Sequence, residues 1–406
     1  PQWRYLNPRP AEWPQADFIV GNPPFIGNKR MREALGDGYV EALRGAWSNV
    51  PDSADLVMFW WEHAATLVRQ GSSRRFGLIT TNSITMSFNR RVLERHLTDT
   101  PALSLAFAVA DHPWTDESGG AAVRVAMTVG AAGHVDARLG EAVDEAVAGT
   151  TATGYLVSRS GQIQADLTIG AAVRSLSRLR SNEALVFQGV IPIGDGFKLS
   201  AEDLSTLGFN AEDRPPVVRP YVIGADIVRV PRPKWIIDFF GLSETQARDK
   251  HPVLFQRVLT TVKPVRDLNR EPSRRVKWWL FARSNEDMRA AKNGLTRFIG
   301  TPDTARHRVF TFLPGDVLPD AQVYCVAMTD ALTLGVLSSS VHQLWVIRVA
   351  PRLGVGNDIR WKPKDVWAGY PFPSDDTGLT PELTARIRTL AEQLDAHRKA
   401  QQAAHP

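Results

Sequence analysis

Asn22-Pro23-Pro24-Phe25 is the segment of this sequence best equipped to do chemistry. It follows directly on Asp17-Phe18-Ile19-Val20-Gly21, which reads as a short buried strand. Asn22 offers a neutral side-chain carbonyl, a hydrogen-bond acceptor. Pro23 has no N–H, and its backbone carbonyl can be a second acceptor. Two consecutive prolines fix φ, so both acceptors are held in place at little entropic cost. Such a pair suits an amine carried on an aromatic ring, above all the exocyclic amine of adenine. That nitrogen is a poor nucleophile because its lone pair is delocalised into the ring. Acceptors on both protons draw electron density back to it. Phe25 adds a face on which an extruded base can stack, a contact worth roughly 1–3 kcal/mol. That contact offsets the unstacking needed to bring a base out of a duplex. A plain proline-rich turn is the competing reading. It is weakened by position, because α/β proteins bind ligands at the carboxyl ends of their strands.

The elements that must position this motif are legible nearby. Asp52 or Ser53 can cap a helix whose apolar stripe is Leu56, Phe59, Trp60, Ala64, Leu67 and Val68, ending near Gly71. Residues 76–80 read as a second strand leading into Thr81-Asn82-Ser83, and residues 89–97 as another helix. Strands over 103–110 and 123–129 suggest an antiparallel edge hairpin around a polar loop that contains Trp114. Strands alternating with helices predict an α/β sheet. Trp114 is a candidate second wall for the base, or else a loop residue pinned on the sheet edge. Asn82 is a candidate to orient the motif, or else a turn former. Residues 131–185 are Ala-rich and weakly patterned, with one helix expected over 169–179. From about 186 to 373 the chain is rich in Pro, Arg and Trp, with strands expected over 234–239 and 322–328, which suggests a separate α+β domain. Residues 380–399 form an amphipathic helix pattern through Leu383, Ile387, Leu390 and Leu394.

The 406 residues are too many for one ordinary core. Their 43% hydrophobic and 22% charged composition is that of a globular chain. No run approaches the roughly 18 apolar residues of a membrane span, and no leader opens the sequence. Cys325 stands alone in an apolar run, so disulfides are excluded and the cytoplasm is the expected compartment. The nine histidines show no metal-ligand spacing, so no metal is expected. A net charge of +5 permits a polyanionic partner. The stretch Lys263, Arg266, Arg270, Arg274, Arg275 and Lys277 suits phosphate contacts, with an ordinary solvated basic face as the alternative. For reading base edges, two segments qualify: Arg306-His307 before an apolar strand, and the glycine-containing loop holding Arg352, Asn357 and Arg360.

Gly21 to Gly27 resembles the catalytic motif of amino-methyltransferases that use S-adenosylmethionine. Asp55 to Trp61, Phe76 to Ser83, and Asp111-His112-Pro113-Trp114 ahead of Ala121 to Val125 resemble the motifs that follow it in the same order. Arg219 to Gly224, Lys277-Trp278-Trp279, Ser338 to Trp345 and Tyr370 to Pro373 are similar to the target-recognition domain of MmeI-like enzymes, the single-chain type IIL restriction–modification proteins. Phage-defence methyltransferases share much of this layout. The resemblance implies adenine-N6 methylation of double-stranded DNA. It implies a partial class I methyltransferase (Rossmann-like) domain over 1–150, a connector over 151–185, a target-recognition domain over 186–373 and a C-terminal helix over 374–406. The family places a Gly-rich cofactor loop upstream of Asn-Pro-Pro-Phe, and this sequence has no room for it before residue 17. The chain begins at Pro1, so an upstream methyltransferase or nuclease segment of the same native polypeptide is expected to hold the cofactor. The rival readings are methylation of a glutamine side-chain amide, and a non-catalytic DNA-binding fragment.

Overall fold

The computed structural model describes residues 5–113, 124–145, 153–170, 176–353 and 358–404. The chain divides into two compact units, Pro1–Ser175 and Leu176–Pro406. The division falls inside the stretch expected to be a connector.

The first unit is a six-stranded mixed sheet with helices. Its strands are β1 (Phe18–Gly21), β2 (Arg75–Thr81), β3 (Leu103–Pro113), β4 (Arg124–Ala132), β5 (Arg138–Glu145) and β6 (Thr153–Ser160), in the order β1-β2-β4-β3-β5-β6. β1 and β2 are parallel, with Gly21 opposite Leu78, so both carboxyl ends emerge on one side. The helices are α1 (Asn28–Leu35), α2 (Asp37–Ala46), α3 (Val57–Arg69) and α4 (Ser87–Thr98). The stripe of α3 buries Leu56, Phe59, Ala64 and Val68 with the fully buried Trp61, while Trp60 is only half-buried. Such packing stabilises by roughly 25 cal/mol per Å² of apolar surface removed from water.

Three expectations are corrected here. The hairpin of β3 and β4 is antiparallel but not at the edge: β4 lies between β2 and β3, and β3 pairs in parallel with β5. The Ala-rich stretch supplies β5 and β6, which pair antiparallel from Arg138↔Ser160 to Glu145↔Thr153. Small residues gave these strands too little apolar alternation to be read. Lastly, the middle of the helix expected over 169–179 lies outside the described residues, and its described ends, 169–170 and 176–179, are not helical. Gly170 turns at φ 110°, which a side chain resists, Ile169 bridges Ile163, and residues 176–179 are irregular.

The second unit holds three small sheets. β7 (Val186–Gln188) lies beside β15 (Val323–Val326), which flanks β11 (Arg297–Pro302) and then β13 (Thr311–Pro314). β8 (Lys198–Leu199), β10 (Trp235–Ile237), β9 (Val218–Val222) and β14 (Leu318–Pro319) form the second sheet. β12 (Thr304–Ala305), β17 (Asp358–Arg360) and β16 (Arg352–Leu353) form the third. Cys325 is buried in β15, where burial pushes its thiol up to about 12. The C-terminal helix spans Pro381–Ala404. Leu383 and Leu390 of its expected stripe are exposed; the packed side centres on Ile387, Ala391 and Asp395. It approaches the helix Ala331–Ser338 at Gly335, where an added Cβ would stand 2.6 Å from the Ile387 side chain.

His342 is fully buried between the rings of Phe310 and Tyr370, with Nδ1 donating to the Leu337 carbonyl at 2.8 Å. Burial, with a smaller push from Arg308, lowers its pKa from 6.5 to about 4. Below pH 6.5 the unfolded chain therefore binds a proton that the folded chain refuses. Stability is expected to fall by about 2 kcal/mol from pH 7 to pH 5 through this residue. Urea unfolding of wild type and His342→Gln at both pH values checks it; an equal loss in the two proteins would clear His342 as the cause.

Candidate functional site

The motif Asn22-Pro23-Pro24-Phe25 leaves the carboxyl end of β1 as an irregular loop that runs into α1. Pro23 is buried, Phe25 is half-buried, and Asn22 and Pro24 are exposed. Pro23 thus anchors a loop on which the side chain of Asn22 is exposed. Among the described residues nothing hydrogen-bonds the Asn22 side chain, so its carbonyl is available to an incoming donor.

One carboxylate ties this loop to its neighbours. Asp55 Oδ1 accepts the N–H of Asn28, the first residue of α1, at 3.0 Å. Its Oδ2 accepts Ser83 Oγ at 2.6 Å and Asn89 Nδ2 at 2.8 Å. Asn89 returns a bond from the Asp55 N–H at 2.8 Å, and the Leu56 N–H donates to the Ile26 carbonyl at 2.9 Å. The end of β2, the start of α4 and the loop after β1 therefore converge on Asp55. This accounts for another departure from local rules: α3 begins at Val57 with no side-chain cap, so neither Asp52 nor Ser53 caps it. Arg44 of α2 closes the far side, donating to Asn28 Oδ1 at 3.0 Å and to the Asp52 carbonyl at 2.7 Å.

Asn82 follows β2, but its amide donates to Asp111 at 2.7 Å and not to the loop. Asp111 sits in a bulge of β3 with φ 55°, and also accepts Arg124 Nε at 2.6 Å. Trp114 lies outside the described residues.

In the second unit the two segments expected to read bases come together. Thr304 pairs with Arg360 and Ala305 with Ile359, and β17 pairs with β16 from Arg352 to Leu353. Arg306 and His307 follow β12 and are exposed. Arg352 lies in β16, while Asn357 falls outside the described residues. Arg360 is oriented by Asp303 at 2.8 Å, which also accepts Lys362 at 2.9 Å. Beneath this sheet Arg308 is buried, donating to the carbonyls of Pro302 and of Ile359, the latter at 2.8 Å. Burial lowers its pKa to about 10.

The basic stretch separates into inward and outward groups. Arg266 is buried and donates to the Pro192 and Leu280 carbonyls, Lys263 pairs with Asp267 at 2.7 Å, and Arg274 pairs with Glu271 at 2.9 Å. Arg270, Arg275 and Lys277 are exposed, with Arg275 donating to the Asn269 carbonyl at 2.6 Å. Trp278 is buried and Trp279 half-buried, both in a turn.

Residues 2–139 match the family model of the MmeI DNA-methyltransferase domain. The first unit carries an MmeI-type DNA-methyltransferase domain. The type IIL restriction–modification enzyme MmeI, solved in complex with DNA, has 20% identity and a TM-score of 0.71, covering 92% of this chain and 48% of its own. The chain thus spans about half the length of that enzyme, and the likeness extends the shared fold into the second unit. The type IIG endonuclease BpuSI (12% identity, 93% and 49% coverage, TM-score 0.31) and the DrdV–DNA complex (11%, 94% and 44%, 0.39) also match, too loosely in shape to carry an argument. No curated protein matches the sequence.

Within the MmeI-type domain, Asp55 is the residue that sequence reasoning did not single out as part of the site. Its only signal was the resemblance of the Asp55–Trp61 segment, because its partners lie 27 to 34 residues away. The described residues do not fit S-adenosylmethionine. Gly36 separates α1 from α2, Gly38 lies inside α2, and Gly194 precedes a short 3-10 turn, so among the described residues no glycine turn leads from a strand into a helix beside β1. Among the described residues β1 pairs with β2 alone, and with Phe18 and Val20 56% and 85% exposed it is an open edge strand and not the buried strand expected. Among the described residues no group of three His, Cys, Asp or Glu could hold a metal, and no helix is long and apolar enough to cross a membrane.

Proposed function

We propose that this chain supplies the amine-gripping loop and the DNA-reading unit of a site-specific DNA methyltransferase that modifies adenine N6 within a restriction–modification or phage-defence system. The observation that carries the reading is the exposed side chain of Asn22 on a proline-anchored loop at the carboxyl end of β1, inside the MmeI-type domain. An extruded adenine stacks on Phe25. Its amine donates one hydrogen bond to Asn22 Oδ1 and the other to the Pro23 carbonyl. Both acceptors are fixed before the base arrives, so polarising the amine costs little reorganisation. Asp55 holds the loop through Asn28 and plays no direct part in the chemistry.

The methyl donor of this reading is S-adenosylmethionine, held by another segment, since the described residues form no site for it. The bare edge of β1 supports a further strand being added there. The glutamine-amide alternative leaves the basic second unit without a role. In the second unit, Arg306, His307, Arg352 and Arg360 are proposed to meet base edges from in and beside one small sheet, together with Asn357, which lies outside the described residues, and Arg270, Arg275 and Lys277 to meet phosphates. Single-molecule sequencing of DNA from cells expressing the complete enzyme is expected to show N6-methyladenine at one short motif. Unmodified adenines, or methylation on another base atom, would refute the assignment; DNA binding without methylation would favour the non-catalytic rival.

A further inference from the structure

A cleft of about 610 Å³ opens in the second unit where three segments remote in sequence meet: residues 227–230, residues 304–309 and the end of the C-terminal helix. Ile227, Val230 and Val309 give it an apolar floor. Its rim carries Arg229, Arg306, His307, His397 and Arg398, and no carboxylate lines it.

The neighbouring acids are already committed elsewhere. Asp226 accepts the Ile223 N–H at 2.9 Å and faces Lys234 at 3.7 Å. Asp303 takes Arg360 and Lys362. Asp395 is buried, accepting Thr311 Oγ1 at 2.6 Å, the Phe312 N–H at 3.1 Å and Lys399 at 2.7 Å. Among the described residues Arg229 and Arg306 therefore have no carboxylate partner. The walls are also fixed. Asp395 joins the C-terminal helix to β13, and the Gln402 amide donates to the Asp226 carbonyl at 3.0 Å and to that of Arg229. Cations gathered on a rigid rim repel one another unless an anion sits between them. An apolar floor below such a rim fits a phosphodiester strand, with phosphates at Arg229 and His397 and deoxyribose against Ile227, Val230 and Val309, while Arg306 and His307 extend toward the base edges.

We propose that this cleft grips the backbone of duplex DNA and makes the C-terminal helix, through His397, part of the DNA-binding surface, while Arg398 is bonded inward to the Phe310 carbonyl at 3.2 Å. One wall is β12, the strand that carries Arg306 into the reading sheet. A phosphate held here sets the register in which that sheet meets base edges. The inference rests on the DNA-reading role proposed for the second unit.

The test measures the affinity of the complete enzyme for a duplex containing its methylated motif, by fluorescence anisotropy across a salt series. Arg229→Ala is expected to flatten the log–log salt slope by about 0.9, the release expected per neutralised phosphate. Arg229→Lys is expected to restore it. Adding His397→Ala is expected to weaken binding further, and the recognised motif should stay unchanged in all three. Arg229 and His397 are exposed and make no side-chain hydrogen bond among the described residues, so folding is spared. A steep wild-type slope that is identical in Arg229→Ala and in the double variant overturns the cleft alone. Failure of the wild-type enzyme to bind duplex DNA overturns the DNA-reading role as well.

Discussion

Asn22→Ala in the complete enzyme is expected to lower methyl transfer by at least about 100-fold, the usual cost of removing one preorganised polar group that acts at the reacting centre. The side chain is exposed and makes no hydrogen bond among the described residues, so the substitution leaves their packing untouched. Asn22 is also neutral and carries no phosphate contact in this reading, so duplex affinity should stay within about threefold, a difference of less than 1 kcal/mol. The split between lost turnover and kept binding is the diagnostic. A radiolabel assay at saturating DNA, beside a binding isotherm, reads both. Transfer within tenfold of wild type would remove Asn22 from the chemistry and leave the loop as a structural turn. Asn22→Asp sharpens the comparison. The carboxylate accepts as well as the amide does, but it places a full charge in a site otherwise built from neutral acceptors.

Asp55→Ala is expected to act on the same chemistry from a distance. Its carboxylate accepts three bonds, from Asn28 N–H, Ser83 Oγ and Asn89 Nδ2. Without it those donors lose a charged acceptor in a partly buried place. Unsatisfied groups of this kind cost roughly 1–3 kcal/mol each, and water recovers part, so a total near 2–4 kcal/mol is reasonable. The larger effect is on position. The loop is tied to the end of β2 through this one residue, and a shift of about 1 Å in a reacting group can cost on the order of 100-fold. Turnover should fall by that order while DNA affinity holds. Asp55→Asn keeps one acceptor and should lie between the two. Turnover within about threefold of wild type, in an Asp55→Ala protein shown by thermal unfolding to remain folded, would mean that the prolines fix the loop unaided.

Sequence alone determined the parts of this protein whose physical cause is local. A strand of four residues ending in Gly21, followed by two prolines, specifies its own backbone. The stripe of α3 is written in three- and four-residue spacings, because one turn of helix brings those positions to one face. The lone Cys325 sat in an apolar run and is buried in β15. The same reasoning misfired where a local preference was outvoted. The hairpin of β3 and β4 was expected at the sheet edge, and β5 pairing alongside β3 places it inside instead. Asp52 and Ser53 were placed to cap α3, which starts without them at Val57.

Only the tertiary structure decided which distant residues act together. Asp55 could not be picked out from its neighbours, because its role depends on Ser83 and Asn89 arriving from a strand end and a helix start. Residues 304–308 and 352–360 looked like two unrelated loops until β12 paired with β17 and the buried Arg308 clamped them together. The C-terminal helix read as amphipathic through Leu383, Ile387, Leu390 and Leu394, and its end became a cleft wall because Asp395 docks on β13 and Gly335 admits Ile387. Each of these is a contact closed across tens of residues. Its stability comes from burial and hydrogen bonds that exist only once the sheets have formed, and no periodicity along the chain encodes it.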